Sequence, residues 1–450
     1  MPTSLPTRRT VLKTAALAST ALAAPFVRGA YAAGSLKLGF WDHWVPGAND
    51  TMTKICQQWA DKEKVEITID FITSQGDKLI LTAAAEEQAR SGHDILTMPT
   101  WYALGHAAAL EPVDDLVKAL QEQNGKVVAG AEYLGTVDGH WVAMPANVGC
   151  QTKPPCARID LMKQLTGIDI VKMYPAGGPP DKELADRWSW DTFLDAAQKA
   201  MKGGYPFGMP FGQNSTDATD WVGAVFASHG AELMNEKGDI TVKSDAVKQV
   251  LEWFKKAVPA FPPDVFAWDD AGNNKWLISG KGALIMNPPS AWAVAVRDAR
   301  PIGEQLWTFP TPKGPKGRYE PYLPFYWGLW NFSQNKAAGK SLLTHLSSRA
   351  SAEQFVAASH GYDLPPWTNF LDFKTWEEEA PPKGTLYSYP PRYPDQIVSV
   401  ACAPAPKKIA NQIYTQATMT KMIAGYTQQG KSIDDAINWA AQEMEGFLRT

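Results

Sequence analysis

The chain has 450 residues, with 43 basic against 47 acidic side chains, a net charge of −4, 45% hydrophobic residues and 18 Trp. This balance argues against a nucleic-acid-binding surface, which needs clustered Lys and Arg, and gives no polybasic reason to bind anionic lipid. A chain of this length exceeds what one hydrophobic core commonly organises, so two lobes are expected.

Residues 1–32 read as an export signal. Arg8 and Arg9 form a twin-arginine pair within the segment Thr-Arg-Arg-Thr-Val-Leu-Lys, residues 7–13. The apolar stretch 15–24 is too short to span a bilayer core of roughly 30 Å. Ala30-Tyr31-Ala32 supplies a small-x-small cleavage site. The expected destination is the periplasm, by the twin-arginine route. Four of the 43 basic residues and none of the 47 acidic ones lie in this segment, so the remainder carries 39 against 47, a net of −8. Cysteines stand at 56, 150, 156 and 402. The periplasm permits disulfides. Cys150 and Cys156 flank a short loop and could pair, but four cysteines allow three complete pairings and the sequence does not choose. They lack CxxC-like spacing with His nearby, so no metal site is expected.

Residues 35–41 alternate and predict a strand. A loop, Asp42-His43-Trp44, leads to a helix carrying Met52, Ile55 and Trp59 at helical spacing, with Asn49 or Asp50 as candidate caps. Residues 65–71 form a second alternating strand, 76–91 a helix, and 93–97 a third strand followed by Trp101-Tyr102. Strand–helix–strand–helix–strand is the pattern of a parallel sheet with crossovers. Ligands gather beyond the strand C-termini in such sheets, where Trp41, Asp42, His43, Trp44, Trp101 and Tyr102 fall.

Residues 138–149 read Asp-Gly-His-Trp-Val-Ala-Met-Pro-Ala-Asn-Val-Gly. A tight turn at Asp138-Gly139 precedes a short strand. Pro145 forbids an ordinary central strand, and Gly149 permits a positive φ. This suits a chain leaving one lobe for another. Farther along, helices are predicted over 158–166, from Trp188 to about 202, and over 222–228 and 243–255. Strands are predicted over 205–211, in Gly280-Lys-Gly-Ala-Leu-Ile-Met286 and over 325–331. Helices follow over 337–346, around 406–423 and around 433–448.

The segment 138–149 resembles the first inter-lobe crossover of the extracellular solute-binding proteins of bacterial ABC importers, the family that includes maltose-binding protein. Gly92-His93-Asp94-Ile95, Ala109-Leu110-Glu111-Pro112-Val113-Asp114 and Trp188-Ser-Trp-Asp-Thr-Phe193 are similar to family motifs, in the family's order. The same holds for residues 280–286 leading to Asn287-Pro-Pro-Ser-Ala-Trp292, and for Trp307-Thr-Phe-Pro-Thr-Pro-Lys-Gly-Pro315. Where the family commonly has Tyr-Asn-Lys, this chain has Gln151-Thr152-Lys153. The resemblance implies an α/β, two-lobed periplasmic-binding-protein fold. Each lobe would be a mostly parallel sheet flanked by helices, with three inter-lobe crossovers. The implied division is the signal at 1–32, lobe one at 33–146 and 325–364, and lobe two at 147–324 and 365–450.

Catalytic signatures fail in the sequence. Gly339-Lys340-Ser341 mimics a phosphate loop, but Gln334 stands where its first glycine belongs. Ser228-His229-Gly230 and Ser359-His360-Gly361 lack the preceding glycine of a nucleophile elbow. No Gly-x-Gly-x-x-Gly opens a helix after a strand, and the seven His show no i, i+4 pair. Carboxylates such as Asp42, Asp269 and Asp270 keep a secreted glycoside hydrolase as the enzyme alternative.

The reading reached is a non-enzymatic binding protein without cofactor or metal. It is expected to act as a monomer that serves the ABC permease subunits of the inner membrane. Aromatic faces suit the C–H faces of sugars, while carboxylates and amides suit hydroxyl edges. The expected ligand is therefore a neutral carbohydrate or polyol, with a polyamine or another small solute as the alternative. With the loop residues above, the expected ligand contacts are Asn147, Asp220, Trp221, Trp268, Asp269, Asn287, Trp292 and Trp327. Trp41 and Trp292 would face each other from opposite lobes.

Overall fold

The structure is a computed structural model that describes residues 34–45, 47–175, 178–213, 215–287, 290–378, 396–398 and 404–449. The export signal and Cys402 lie outside the described residues. In chain order, the strands of the three larger sheets begin with β1 (Ser35–Trp41), β2 (Glu66–Ile72), β3 (Ile95–Pro99), β4 (Met144–Pro145), β5 (Gln151–Thr152) and β6 (Pro155–Arg158). They continue with β7 (Leu284–Met286), β8 (Leu306–Thr308), β9 (Lys313–Gly314), β10 (Gly317–Leu323), β11 (Phe325–Leu329) and β12 (Gln396–Val398).

The first lobe is built on the sheet β2-β1-β3-β11-β4. β1 runs parallel to β2 and β3, with Ser35 opposite Glu66 and Leu38 opposite Ile95. β11 returns antiparallel between β3 and β4. Pro145, which cannot donate to a ladder, sits on the edge strand, as its chemistry demands. Alternation in β1 buries Leu36, Leu38 and Phe40 while Ser35 and Lys37 face solvent. Helix α1 (Ala48–Glu63) lays Met52, Ile55 and Trp59 on this core. Burying each such side chain contributes about 1.5–3 kcal/mol. Neither Asn49 nor Asp50 caps α1. Gly47, at φ 88°, occupies the cap position, and Asn49 Oδ1 instead accepts from the His43 N–H.

The second lobe differs from expectation in strand sense. Its sheet, β8-β6-β7, is antiparallel throughout. β6 was not legible as a strand, and both its neighbours arrive more than a hundred residues later, so their direction was not written locally. Residues 205–211, expected as a strand, form no ladder. Isolated bonds tie them to the lobe, among them Gly208 N–H to Leu284 O and Phe211 N–H to Val265 O, and Pro206 and Pro210 lack the donors a ladder needs. Helix α2 (Trp190–Lys202) starts at Ser189, whose hydroxyl accepts from Thr192 N–H, and buries Phe193, Ala196 and Ala197. Helices α3 (Thr216–His229) and α4 (Asp245–Ala257) hold the aromatic core, where Trp221 meets Phe211, Phe254 and Phe261 at 5.0–6.2 Å. Close packing of this kind adds to area burial.

Two strands of chain join the lobes among the described residues. At the first, Gly149 has φ 90°, and a side chain there would collide with the Phe325 ring. At the second, β10 pairs with β5 and β12 and runs into β11. At residue 364, where a third was expected, Leu364 N–H donates to Cys150 O. The chain does not leave lobe one at residue 365. Trp367 bridges to Val127, and Val128 N–H donates to Pro366 O, so residues 366–376 stay on the first lobe. The C-terminal helices α5 (Lys407–Thr415) and α6 (Thr418–Thr427), with the last helix Ile433–Arg449, pack on the second lobe beside α3 and α4. Cys56, Cys150 and Cys156 are free, so the Cys150–Cys156 pairing is not formed. Burial pushes their thiols up to about 12, which leaves them protonated and unreactive.

Glu320 in the crossover strand β10 is fully buried. Its Oε2 accepts from the Thr311 N–H and hydroxyl. Burial pushes it up to about 8 from the usual 4.5, despite those bonds and Arg318. The folded state therefore holds this proton more tightly than the unfolded chain. The resulting stability is complete below about pH 4.5 and is lost as pH rises towards 8. Glu320→Gln should flatten that fall and melt higher than the wild type at pH 8 but not at pH 5, as measured by thermal denaturation across pH.

Candidate functional site

A cavity of about 240 Å³ opens between the lobes, many times the roughly 10–15 Å³ that one water needs. Its first-lobe wall is aromatic. Trp41 ends β1, Trp44 lies in the following loop, and Trp101 and Tyr102 follow β3. These positions lie beyond strand C-termini, where crossover geometry leaves loops free to meet a ligand. Asp77, at φ 58°, adds a carboxylate just before the helix Lys78–Ala89.

The second-lobe wall is polar and built around Lys153. Its ammonium group lies 2.7 Å from Asp217 Oδ1, 2.7 Å from Asp220 Oδ2 and 2.9 Å from Thr216 Oγ1. Burial works against this charge, but Asp217, Asp220 and Asp270 outweigh it and hold the ammonium above its ordinary range. Asp217 Oδ2 accepts from Asn273 and Asn287 amides at 2.8 and 3.1 Å. Burial still pushes Asp217 up to about 6 against the pull of Lys153. The Tyr414 hydroxyl donates to Asp220 Oδ1 at 2.9 Å, and the Tyr414 ring lies against Trp101, so α5 closes the wall. Asp270 accepts from the Ser215 and Thr216 hydroxyls and from Asp217 N–H, at the start of α3. Ser290 donates to Asn287 Oδ1 at 2.8 Å and accepts from Asn274 at 3.2 Å.

Of the residues singled out in the sequence, Trp41, Trp44, Trp101, Tyr102 and Asn287 line this cavity. Asp269 borders its mouth beside Trp44, Asp77 and Asp270. Asp220 stands behind the wall, as a partner of Lys153. The others serve elsewhere. Asp42 is exposed and accepts from Asn49. His43 is buried against Asp363 at 3.3 Å, where it ties the first-lobe loop to the segment before Leu364. Asn147 donates to Leu346 O within the first crossover. Trp221 and Trp327 are core residues. Trp268 packs on Trp276. Trp292 lies in a separate apolar cluster with Cys156, Leu277, Ile285 and Leu306, so it does not face Trp41. A bulky ring after a strand satisfies a core as readily as a cleft, and side-chain direction is not visible in composition.

Sequence reading missed Asp77, Gln151, Lys153, Thr216, Asp217, Asn274, Ser290 and Tyr414. A signal did exist for some of them. Ser215-Thr-Asp-Ala218 is a helix-capping pattern, and Ser215 accepts from Ala218 N–H. Lys153 sits in the segment that departs from the resembled motif.

The family model for bacterial extracellular solute-binding proteins matches residues 46–353. The chain belongs to this family. A probable ABC transporter-binding protein of Deinococcus radiodurans is 25% identical over 236 residues, 49% of this chain. The chain spans about half of that relative's length, 52%. Among solved structures, maltose-bound T. maritima MalE3 matches with a TM-score of 0.71 and 17% identity, over 92% of this chain and 99% of that one. A sugar transporter protein of Arthrobacter chlorophenolicus with bound laminaribiose matches at 0.70 and 15%, over 92% and 99%. At these identities the likeness is one of fold, and that fold is the two-lobed periplasmic-binding architecture. The family's members are binding proteins. Among the described residues, no helix is long and apolar enough to cross a membrane, and no group of three metal-ligating side chains converges.

Lys153→Met would leave Asp217 and Asp220 buried without their counter-charge. Breaking a buried pair in this way costs about 3–5 kcal/mol. Urea denaturation should show a loss of that order in this solute-binding protein.

Proposed function

We propose that this protein is the substrate-binding component of an ABC importer. It captures a small hydroxyl-rich solute of the carbohydrate or polyol class between its lobes and delivers it, as a monomer, to permease subunits in the inner membrane. The observation that carries this reading is the two-faced cavity, aromatic on the first lobe and a hydrogen-bonding network on the second. Ring faces suit the C–H faces of a sugar, and the fixed amides and carboxylates suit its hydroxyls. Trp41, Trp44, Trp101, Tyr102 and Asn287 are the proposed contacts from the sequence; Asp77, Gln151, Asp270 and Asn274 join them. The maltose and laminaribiose named for the two structural neighbours support the class.

Binding proceeds without turnover. The family's members are binding proteins, and on this reading the free carboxyl of the cleft, Asp77, binds ligand and is not the general acid that a glycosidase needs. Asp217, whose proton affinity is raised, has both oxygens engaged by Lys153, Asn273 and Asn287. On this reading the lobes close around the solute as a hinged pair.

Trp44 is half-buried on the cavity wall, whereas Trp292 is buried in its own cluster. Trp44→Ala should lower affinity for a bound sugar about thirtyfold, the equivalent of roughly 2 kcal/mol, with near-normal melting. Trp292→Ala should instead destabilise the fold by about 3–5 kcal/mol. Calorimetry, melting curves and mass spectrometry of the recovered ligand test both variants. Unchanged affinity in Trp44→Ala, or a hydrolysed ligand, would sink the reading.

Export by the twin-arginine route is proposed from Arg8 and Arg9. Replacing both by Lys should leave precursor in the cytoplasm on cell fractionation. Normal periplasmic accumulation would refute that route.

A further inference from the structure

The cleft is short of available positive charge and rich in unused acceptors. Lys153 is the one cation among the described residues lining it. An ammonium group has three N–H donors, and here they meet Asp217, Asp220 and Thr216. An anionic ligand therefore finds no free cation to pair with.

The acceptors are in the opposite condition. Asp77 has no hydrogen-bond or ion partner among the described residues, and it borders the cavity mouth opposite Asp269 and Asp270 of the other lobe. Burial and those two like charges raise its proton affinity. Gln151 and Asn274, only 4% and 6% exposed, line the same cavity, and Gln151 Oε1 and Asn274 Oδ1 have no partner. Leaving buried acceptors unfilled is costly unless a ligand supplies the donors. Trp44 borders both the cavity and this acidic mouth.

We propose that the solute carries a protonated amine alongside its hydroxyls, with the ammonium seated between Asp77 of the first lobe and Asp270 of the second. The inference rests on the cleft being the solute site. An ammonium offers donors only, which matches Gln151, Asn274 and the unpaired carboxylate. Its charge-assisted bonds are stronger than those of a neutral hydroxyl, and the Trp44 ring adds a cation–π attraction to the C–H contact it offers any sugar. Asp77 and the Asp269–Asp270 pair lie on opposite lobes, so their repulsion opposes closure. A cation placed between them removes that repulsion and favours the closed form over the open one.

The test is calorimetry on the mature chain with matched pairs that differ only in an amine: sorbitol against glucamine, and glucose against glucosamine. Glucuronate and putrescine serve as controls. In at least one pair the amine should bind tenfold or more tightly than its neutral partner, with the advantage shrinking at high salt. Glucuronate should not bind, and putrescine should bind more weakly than the preferred amine. Asp77→Asn, folded by its melting curve, should lose most of the amine's advantage. Asp270 is left intact because it holds the start of α3. Equal or tighter binding of the neutral members overturns the charge inference but leaves the sugar-binding reading standing. Putrescine as tight as the hydroxylated amines overturns the hydroxyl half. No binding by any hydroxylated probe overturns the cleft reading and the inference with it. Retention of the full preference in Asp77→Asn removes Asp77 from the site.

Discussion

The buried Lys153 ammonium is the constraint on which the second-lobe face of the cleft depends. It comes from the segment just past the first crossover and is held by Asp217 and Asp220 on one turn of α3. Asp217 in turn gathers Asn273 and Asn287, and Asp220 gathers Tyr414 from the C-terminal helix α5. One charge thus fixes four stretches of chain that are distant in sequence. Taking such groups out of water costs several kcal/mol per ion and is recovered only when nearly every donor and acceptor is matched. The matching here is dense around Lys153 and is absent across the cleft at Asp77 of the first lobe.

The crossovers have their own anchor. Asp363 accepts from the Gly149 N–H at 2.8 Å and meets the His43 ring at 3.3 Å, while His43 Nδ1 accepts from the Val45 N–H. Asp363, 214 residues beyond Gly149, thereby holds the first crossover and the loop that carries Trp41 and Trp44. Trp41 is packed by the His43, Phe325 and Tyr362 rings, so the cavity wall and the hinge share a side chain. Movement of one lobe against the other would be felt at that ring.

These two clusters divide the work of the cleft. The aromatic wall is held rigidly by ring packing and by the Asp363 carboxylate. The polar wall is held by a saturated ionic network. Between them lie the groups that the protein leaves unfilled: Gln151 Oε1, Asn274 Oδ1 and the Asp77 carboxylate. A rigid frame around unfilled polar groups is what preorganised recognition requires, because the ordering has been done before the ligand arrives.

The sequence by itself determined the elements whose chemistry is local. Alternation placed β1 and β2, helical spacing placed α1 and α4, the segment from Trp188 placed α2, and Pro145 marked an edge strand. The ordered run of motifs placed the chain in its family. The aromatic residues after β1 and β3 were legible for the same reason: loops beyond strand ends follow from strand order. Only the tertiary structure decided what required partners from far along the chain. Strand sense in the second lobe was one such matter, since β6 waits for β7 and β8. The pairing of His43 with Asp363, across 320 residues, was another. So was the choice between cleft and core for each Trp. Trp292 and Trp44 are the same residue type, each a few residues beyond a strand, one in the first turn of a helix and one in a loop, and their surroundings decide which is core. Lys153 and Asp77 were invisible as site residues because a charge reveals its role through its neighbours: three acceptors around Lys153, and none but like charges beside Asp77.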